Sequence, residues 1–373
     1  MSAVTTELPT VTKEPVTRPE RTGRIYALDL LRFSAALMVV FYHLIADLDR
    51  RGAWGDGRKN FGAAVDQVTS YGWIGVEFFF VISGFAICMS CWGRSLSDFF
   101  TSRVSRLFPA YLFAVLITGT VLTLFPVTKS PDLTTILVNF TMLNQFFDIP
   151  GIDDVYWTLF LELKFYILFA SVVWFGVTYR RVVLFNVIWT VLYLFAFTTK
   201  FQPLISIVEP RWAPYFIAGT TLYLIYRFGP NLLLWGMLGV SMVMAVPSLK
   251  KRFEGMVEVF PLSYGVVLAI MVVLFGLLIL LALGKLDWLR WPGLMTVGAL
   301  TYPLYLLHRQ LSWVVVDRLH EAMPRWVLLG LVTVAVIGLA WVTQRFVERP
   351  LSRWIRQGLK ASFAQSRAAE NAS

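Results

Sequence analysis

The sequence predicts an all-α fold: a polytopic membrane bundle of about ten transmembrane helices with both termini cytoplasmic. Three observations carry this expectation. Apolar residues make up 57% of the 373 positions and charged residues only 15%, with a mean hydropathy of +0.66, whereas a soluble domain carries about 25% charge. Apolar runs able to cross about 30 Å of hydrocarbon recur near 25–46, 71–92, 107–125, 155–178, 182–199, 212–227, 231–247, 259–283, 294–317 and 326–347. An even number of spans places both termini on one side, and nearly all of the formal charge of +10 then flanks the spans on that side, as expected of a cytoplasmic face. Topology therefore accounts for the basic balance, and nucleic acid is excluded as a partner.

Residues 1–24 are rich in Thr, Pro and charge with no apolar run, so they are expected to form a disordered cytoplasmic tail. The transmembrane domain is expected to occupy 25–347, and 348–373 follows as a basic cytoplasmic tail. In that tail Leu351, Trp354, Ile355 and Leu359 share one helical face opposite Arg353, Arg356 and Lys360, the pattern of an interfacial helix. Loops 47–70 and 126–154 are expected outside and 93–106 inside, the last entering the membrane at Pro109. The stretch SLKKRFEGMVE, with Lys250, Lys251 and Arg252, is expected to be an outer loop. The two cysteines, Cys88 and Cys91, form an isolated C-x-x-C in an apolar helix, which lacks the second ligand pair of a metal site.

Position along a span converts to depth at 1.5 Å per residue. On that scale His43, Glu77, Glu162 and His308, from four helices, lie about 6, 9, 10 and 15 Å below the outer edge. Ionisable groups at such depths face the bundle interior and pair, so these four are expected to meet. Arg32 precedes His43 by eleven residues, close to three turns, which puts both on one face about 16 Å apart. A fixed cation toward the cytoplasm and an imidazole toward the outside suit a long ligand with an anionic end and a reactive end. Acetyl-CoA is such a molecule. Its phosphates suit Arg32 and the pair Arg103 and Arg106 at the inner mouth of the third span, and His43 could take a proton from an attacking hydroxyl.

At this point the chain resembles acyltransferase family 3, integral-membrane enzymes that modify sugars and glycolipids. DLLRFSAALMVVFYHL resembles its first-helix R-x10-H, GVEFFFVISGF its second-helix signature, and RVSRLFPAY its R-x-x-R-L-x-P motif. WTLFLELKFY resembles its Trp-Ser-Leu-x-x-Glu element, with Thr158 keeping the hydroxyl, and TYPLYLLH resembles its late Tyr-Leu-His segment. The resemblance implies an acyl-CoA donor on the cytoplasmic side, acetyl-CoA being the simplest, and an acceptor hydroxyl on an envelope sugar or glycolipid outside, for example a trehalose mycolate.

The expected assignment makes His43 the general base, with Glu77 or Glu162 orienting its imidazole or holding the acceptor, and His308 a second catalytic or acceptor-binding residue. Arg32, Arg103 and Arg106 bind the donor, and Trp157 and Tyr305 line the acceptor or acyl pocket. Direct transfer and an acyl-His43 intermediate both remain open. No tightly bound cofactor or metal is expected. The partners are acyl-CoA, the acceptor, membrane lipids and a separate protein for any onward transfer, and the location is a bacterial cytoplasmic membrane. For each carboxylate the competing reading is neutralisation of Lys164 or Arg309, and for Arg32 an ion pair with Asp29. The rival function is a proton-coupled glycolipid transporter or flippase, since buried His and Glu also form proton relays. A non-catalytic scaffold is the third reading.

Overall fold

The computed structural model describes residues 24–55, 60–127 and 129–372, with side chains described as far as Ser366. Residues 1–23 of the expected tail lie outside them. The described chain is all-helical, with no strand among the described residues. Helix α1 (Tyr26–Phe41) widens into a π-helical turn (Tyr42–Asp47) and ends in α2 (Leu48–Arg50). Then follow α3 (Ala63–Thr69), α4 (Gly75–Cys91), α5 (Leu96–Leu124), α6 (Leu133–Asn139), α7 (Trp157–Trp174), α8 (Tyr179–Thr199) and α9 (Gln202–Val208). Next come α10 (Ala213–Phe228), α11 (Leu232–Val257), α12 (Tyr264–Ala282), α13 (Gly293–Leu319) and α14 (Arg325–Val342). A second π-turn (Thr343–Glu348) leads into α15 (Arg349–Ala372).

Each of the ten apolar segments falls on a helix, and among the described residues eight helices are long and apolar enough to cross a membrane. The two that fall short, α10 and α13, do so for different reasons. Helix α10 has only 16 residues, and every one from Ala213 to Ile225 is buried, so protein rather than lipid surrounds its backbone. Helix α13 buries Thr301, His308, Arg309, Gln310 and Ser312, a polar face that lowers its hydropathy and makes it the chemical centre of the bundle.

Close backbone contact explains how so many helices share one core. A Cβ on Gly219 of α10 would stand 2.0 Å from the Val81 carbonyl oxygen of α4, and one on Gly84 would stand 2.4 Å from the Phe216 carbonyl oxygen. Two glycines facing each other's backbones let α4 and α10 pack at the separation small-residue interfaces permit in membranes. Around that seam Phe165, Trp189 and Phe216 stack, with Phe165 and Phe216 centroids 4.3 Å apart.

Two expected loops are helical. The stretch 93–106 is mostly the start of α5, because Ser95 caps it: its hydroxyl accepts the Asp98 N–H at 3.2 Å and donates to the Asp98 carboxylate at 2.7 Å, a capping arrangement. Pro109 inside α5 donates no N–H to the Ser105 carbonyl, and the Ser352 hydroxyl of α15 takes that place at 2.5 Å. The proline thus supplies the bond by which the C-terminal helix docks. Likewise SLKKRFEGMVE is no outer loop but the last three turns of α11, held by Arg252, which donates to Glu77 on α4 at 2.9 Å.

Helices α1 and α13 run side by side in the same direction: Asp29 lies against Gly298, His43 against His308 and Asp47 against Arg309. They define two ends of the bundle. The near end carries Arg24 and α15, and the far end carries Asp47 and the start of α7.

Candidate active site: an arginine-lined cavity ending at a histidine pair

Between α1, α4, α5, α7 and α13 lies a cavity of about 110 Å³. Its polar lining comprises Arg32, Ser83, Arg106, Thr158, Glu162, Thr301, Tyr302 and Tyr305. The aromatic rings of Phe79 and Phe80, the side chains of Val76, Ile82 and Leu159, and Gly298 complete it. Arginines stand toward the near end and the Thr158–Tyr305 pair toward the far end.

Arg32 does not pair with Asp29, because Asp29 already accepts from Arg24 Nε at 2.6 Å. Among the described residues Arg32 forms no hydrogen bond and no ion pair, so its five donors remain available to a ligand. Arg106 joins it in the lining. Arg103, three residues earlier, is turned elsewhere: it donates to the Ser90 and Ser102 hydroxyls at 3.2 and 2.9 Å, and its guanidinium lies over the rings of Phe99 and Tyr166. Pairing on one helical face was legible in the sequence, but the serines that claim Arg103 come from α4 and from its own neighbour.

Glu162 is in the cavity wall, where it accepts from the Ser83 and Tyr166 hydroxyls at 2.6 and 2.5 Å. Glu77 lies outside the lining, held by Arg252. Neither carboxylate contacts the His43 imidazole, so the expected orientation of that ring by Glu77 or Glu162 is replaced by another arrangement. Lys164 and Arg309, the other anticipated partners, are claimed elsewhere. Lys164 pairs with Glu209 at 2.5 Å. Arg309 pairs with Asp154 at 2.8 Å, Asp47 at 3.4 Å and Asp153 at 3.5 Å. These aspartates were assigned to outer loops in the sequence reading; the fold brings them onto one guanidinium and so ties α13 to the far ends of α1 and α7.

His43 is half-buried and meets His308, which is wholly buried. The two rings share a contact of 3.0 Å from His43 Nδ1 to His308 Nε2. Their protonation follows from the acceptors around them. His308 Nδ1 lies 2.8 Å from the Tyr305 carbonyl and 3.2 Å from the Leu304 carbonyl. Both are acceptors, so Nδ1 carries the hydrogen, and in the neutral ring Nε2 is a bare acceptor. His43 Nδ1 lies between that lone pair and the Val39 carbonyl, 3.0 Å away, so it too must donate. The neutral His43 ring therefore carries its hydrogen on Nδ1 and presents a bare Nε2, the atom a general base needs. Among the described residues Nε2 has no partner, and it is not sealed from solvent. The π-helical turn starting at Tyr42 sets the ring at this point, as such turns frequently do at functional sites.

The histidine pair stands one turn beyond the cavity lining. Tyr305 links them: its ring lies 5.9 Å from that of His308, and its hydroxyl is 2.9 Å from Thr158 Oγ1 and donates to the Val155 carbonyl at 3.2 Å. Thr158 and Tyr305 thus form the partition between cavity and imidazoles. Trp157 is not in the cavity. It packs against Phe80 and Trp212, on the side where Arg252 sits among Trp73, Trp157 and Trp212. Sequence reasoning did not connect Arg252 or Trp212 to the site, because the chain gives no local sign that α11 turns back over α4.

A family profile described as an acyltransferase domain matches residues 25–345. The acyltransferase MdmB of Streptomyces mycarofaciens is 29% identical over 164 residues, 40% of this chain and 40% of the relative. That match therefore spans less than half of the relative's length. No solved structure matches the chain. The profile begins at the first residue before α1 and ends in the π-turn that follows α14, and so takes in every cavity-lining residue and both histidines: the chain belongs to acyltransferase family 3.

Proposed function

We propose that this membrane acyltransferase moves an acetyl group from cytoplasmic acetyl-CoA to a hydroxyl of an envelope sugar or glycolipid on the outer side of a bacterial cytoplasmic membrane. The observation that supports this reading best is the unprotonated Nε2 of His43, held by His308 at the end of a cavity lined by two arginines. The near end is then the cytoplasmic side, the ten helices all span, and the donor enters past Arg106 and Arg32. Guanidinium groups bind phosphates in bidentate fashion, and the rise from Arg32 to His43, about 16 Å, suits a pantetheine arm. To reach His43 the thioester must part the Thr158–Tyr305 contact.

In the transfer, His43 Nε2 takes the proton of the acceptor hydroxyl as its oxygen attacks the thioester carbonyl. The tetrahedral adduct collapses with cleavage of the C–S bond, and the imidazolium returns the proton to the departing thiolate, releasing free CoA and the acetyl ester. The Nδ1–H contact to His308 persists through both steps, so the ring need not turn over. Glu162, fixed by Ser83 and Tyr166, adds a carboxylate to the donor path, where its charge offsets that of the arginines rather than acting on the acceptor. No tightly bound cofactor enters the reaction, and onward transfer of the acyl group would fall to a separate protein.

The test uses the purified full-length protein, radiolabelled acetyl-CoA and glycolipid extract from cells lacking the gene. Arg32→Ala is expected to raise the donor Kd by roughly 10- to 150-fold, the equivalent of a charge-assisted hydrogen bond of about 1.5–3 kcal/mol. His43→Ala is expected to abolish transfer and leave donor binding within about twofold, general-base catalysis being worth roughly 10²–10⁴ in rate. Wild-type protein that neither binds nor cleaves acetyl-CoA, but carries a labelled glycolipid across vesicles, would replace the enzyme reading with the transporter.

A further inference from the structure

A second concavity, of about 470 Å³, lies at the near end, where the π-turn after α14 passes into α15. Its lining is Arg345, Glu348, Arg349, Ser352 and Arg353. The three arginines are exposed and follow one another at intervals of four residues, so one helical face presents them in a row. None pairs with a carboxylate among the described residues: the Arg345 guanidinium lies over the Phe346 ring, and Arg353 Nε donates to the Arg349 carbonyl at 3.3 Å. Like charges at this spacing destabilise a helix, and a bound anion relieves their repulsion.

Arginines just beyond a span ordinarily do no more than anchor it on the cytoplasmic side. Two contacts give this row a further setting. The Ser352 hydroxyl in its lining donates to the Ser105 carbonyl, one residue before Arg106, and Arg106 is itself exposed and lines the arginine cavity. The groove's one acid, Glu348, lies within electrostatic reach of Arg106 as well as Arg349, and its Oε2 is buried. Its charge is therefore shared between the two sets of cations and cancels neither. The groove begins where the cavity opens, with Arg32 and Arg106 inside and Arg345, Arg349 and Arg353 outside. Two sets of cations along one path fit a ligand with two anionic groups. The ribose of CoA carries two: the 5′-pyrophosphate that continues into the pantetheine arm, and a separate 3′-phosphate.

We infer that this groove is a subsite for the 3′-phosphate of the donor. With the pyrophosphate at Arg106 and Arg32, the 3′-phosphate lies among Arg345, Arg349 and Arg353, and the nucleotide stays outside the cavity while the pantetheine arm enters it. The inference rests on the acyl-CoA reading above and adds a basis for donor choice. The enzyme selects its donor by the nucleotide end, so an acyl thioester on a pantetheine arm that lacks this phosphate binds poorly.

The experiment titrates full-length protein in phosphatidylcholine nanodiscs with acetyl-CoA and with acetyl-dephospho-CoA, which lacks only the 3′-phosphate. Wild type is expected to bind acetyl-CoA at least about tenfold more tightly, as for one charge-assisted contact. The Arg349→Gln, Arg353→Gln double variant is expected to lose that preference and to keep its affinity for acetyl-dephospho-CoA, which also shows that it is folded. An Arg356→Gln, Lys360→Gln double variant, altered further along the same helix, is expected to behave as wild type. Equal affinity for the two donors in wild type would overturn the inference without recourse to any variant, and a preference that survives in Arg349→Gln, Arg353→Gln would place the 3′-phosphate elsewhere. Repeating the titration with phosphatidylglycerol in the discs separates the two sources of phosphate: a preference abolished by that lipid assigns the groove to a lipid head group and overturns the inference, whereas a preference retained supports it. Wild type that binds neither donor removes the acyl-CoA reading itself, an outcome distinct from binding both alike.

Discussion

The histidine pair yields a prediction that depends on one hydrogen bond. Truncating His308 to Ala removes the acceptor of the His43 Nδ1–H and leaves the ring tethered only through the Val39 carbonyl. A neutral hydrogen bond contributes about 0.5–1.5 kcal/mol net, and about 1.4 kcal/mol corresponds to tenfold. The Ala variant should therefore lose roughly 2- to 13-fold in kcat, far less than loss of the base itself. The donor KM should not move, because His308 does not line the cavity. His308→Gln should recover most of the rate, since its amide oxygen can accept where Nε2 did. Release of free CoA in the presence of glycolipid extract measures kcat, and thermal unfolding of each variant reports whether the buried site tolerates the change. An Ala variant with unchanged kcat would refute the positioning argument. So would one as inactive as His43→Ala with donor binding and folding intact, since His308 would then act on the reactants directly.

The remaining predictions concern the scaffold and the donor path. Arg309→Met leaves Asp153 buried without its cation, while Asp47 keeps Arg50 and Arg51, and breaking such a buried pair costs about 3–5 kcal/mol; the shift in unfolding midpoint in detergent checks it. Gly219→Ala places a Cβ 2.0 Å from the Val81 carbonyl oxygen, so α4 and α10 must separate at a cost of at least about 1–3 kcal/mol, again read as a lowered midpoint. Arg106→Ala should weaken acetyl-CoA binding roughly tenfold or more, the equivalent of a charge-assisted hydrogen bond. Arg103→Ala should lower stability first, because Ser90, Ser102 and two aromatic rings lose their partner; donor titration and thermal unfolding of the two variants distinguish these outcomes.

Much of this protein is legible along the chain, because a membrane makes the demands on sequence local. Each lipid-crossing stretch must be long, apolar and helical by itself, so each of the ten apolar runs announces a helix, eight of those among the described residues being long and apolar enough to cross, and an arginine and a histidine in the first of them mark an interior face. Arg32 in the cavity and His43 against His308 follow from that logic. Partner choice does not, because it depends on where helices distant in the sequence come to lie. Glu77 and Arg252 stand 175 positions apart, and no property of either predicts that α11 continues past Pro247 and turns a cation onto α4. Asp47, Asp153 and Asp154 read as loop acids until packing places them around Arg309. The tautomer of His43 is likewise tertiary: beside the local Val39 carbonyl it is set by a second imidazole, itself fixed by the Leu304 and Tyr305 carbonyls, which reaches His43 only once α1 and α13 lie side by side. Sequence alone determined which residues would be too polar for lipid. The folded bundle decided which of them answer each other, because pairing energies fall off over a few ångströms and only packing brings the partners that close.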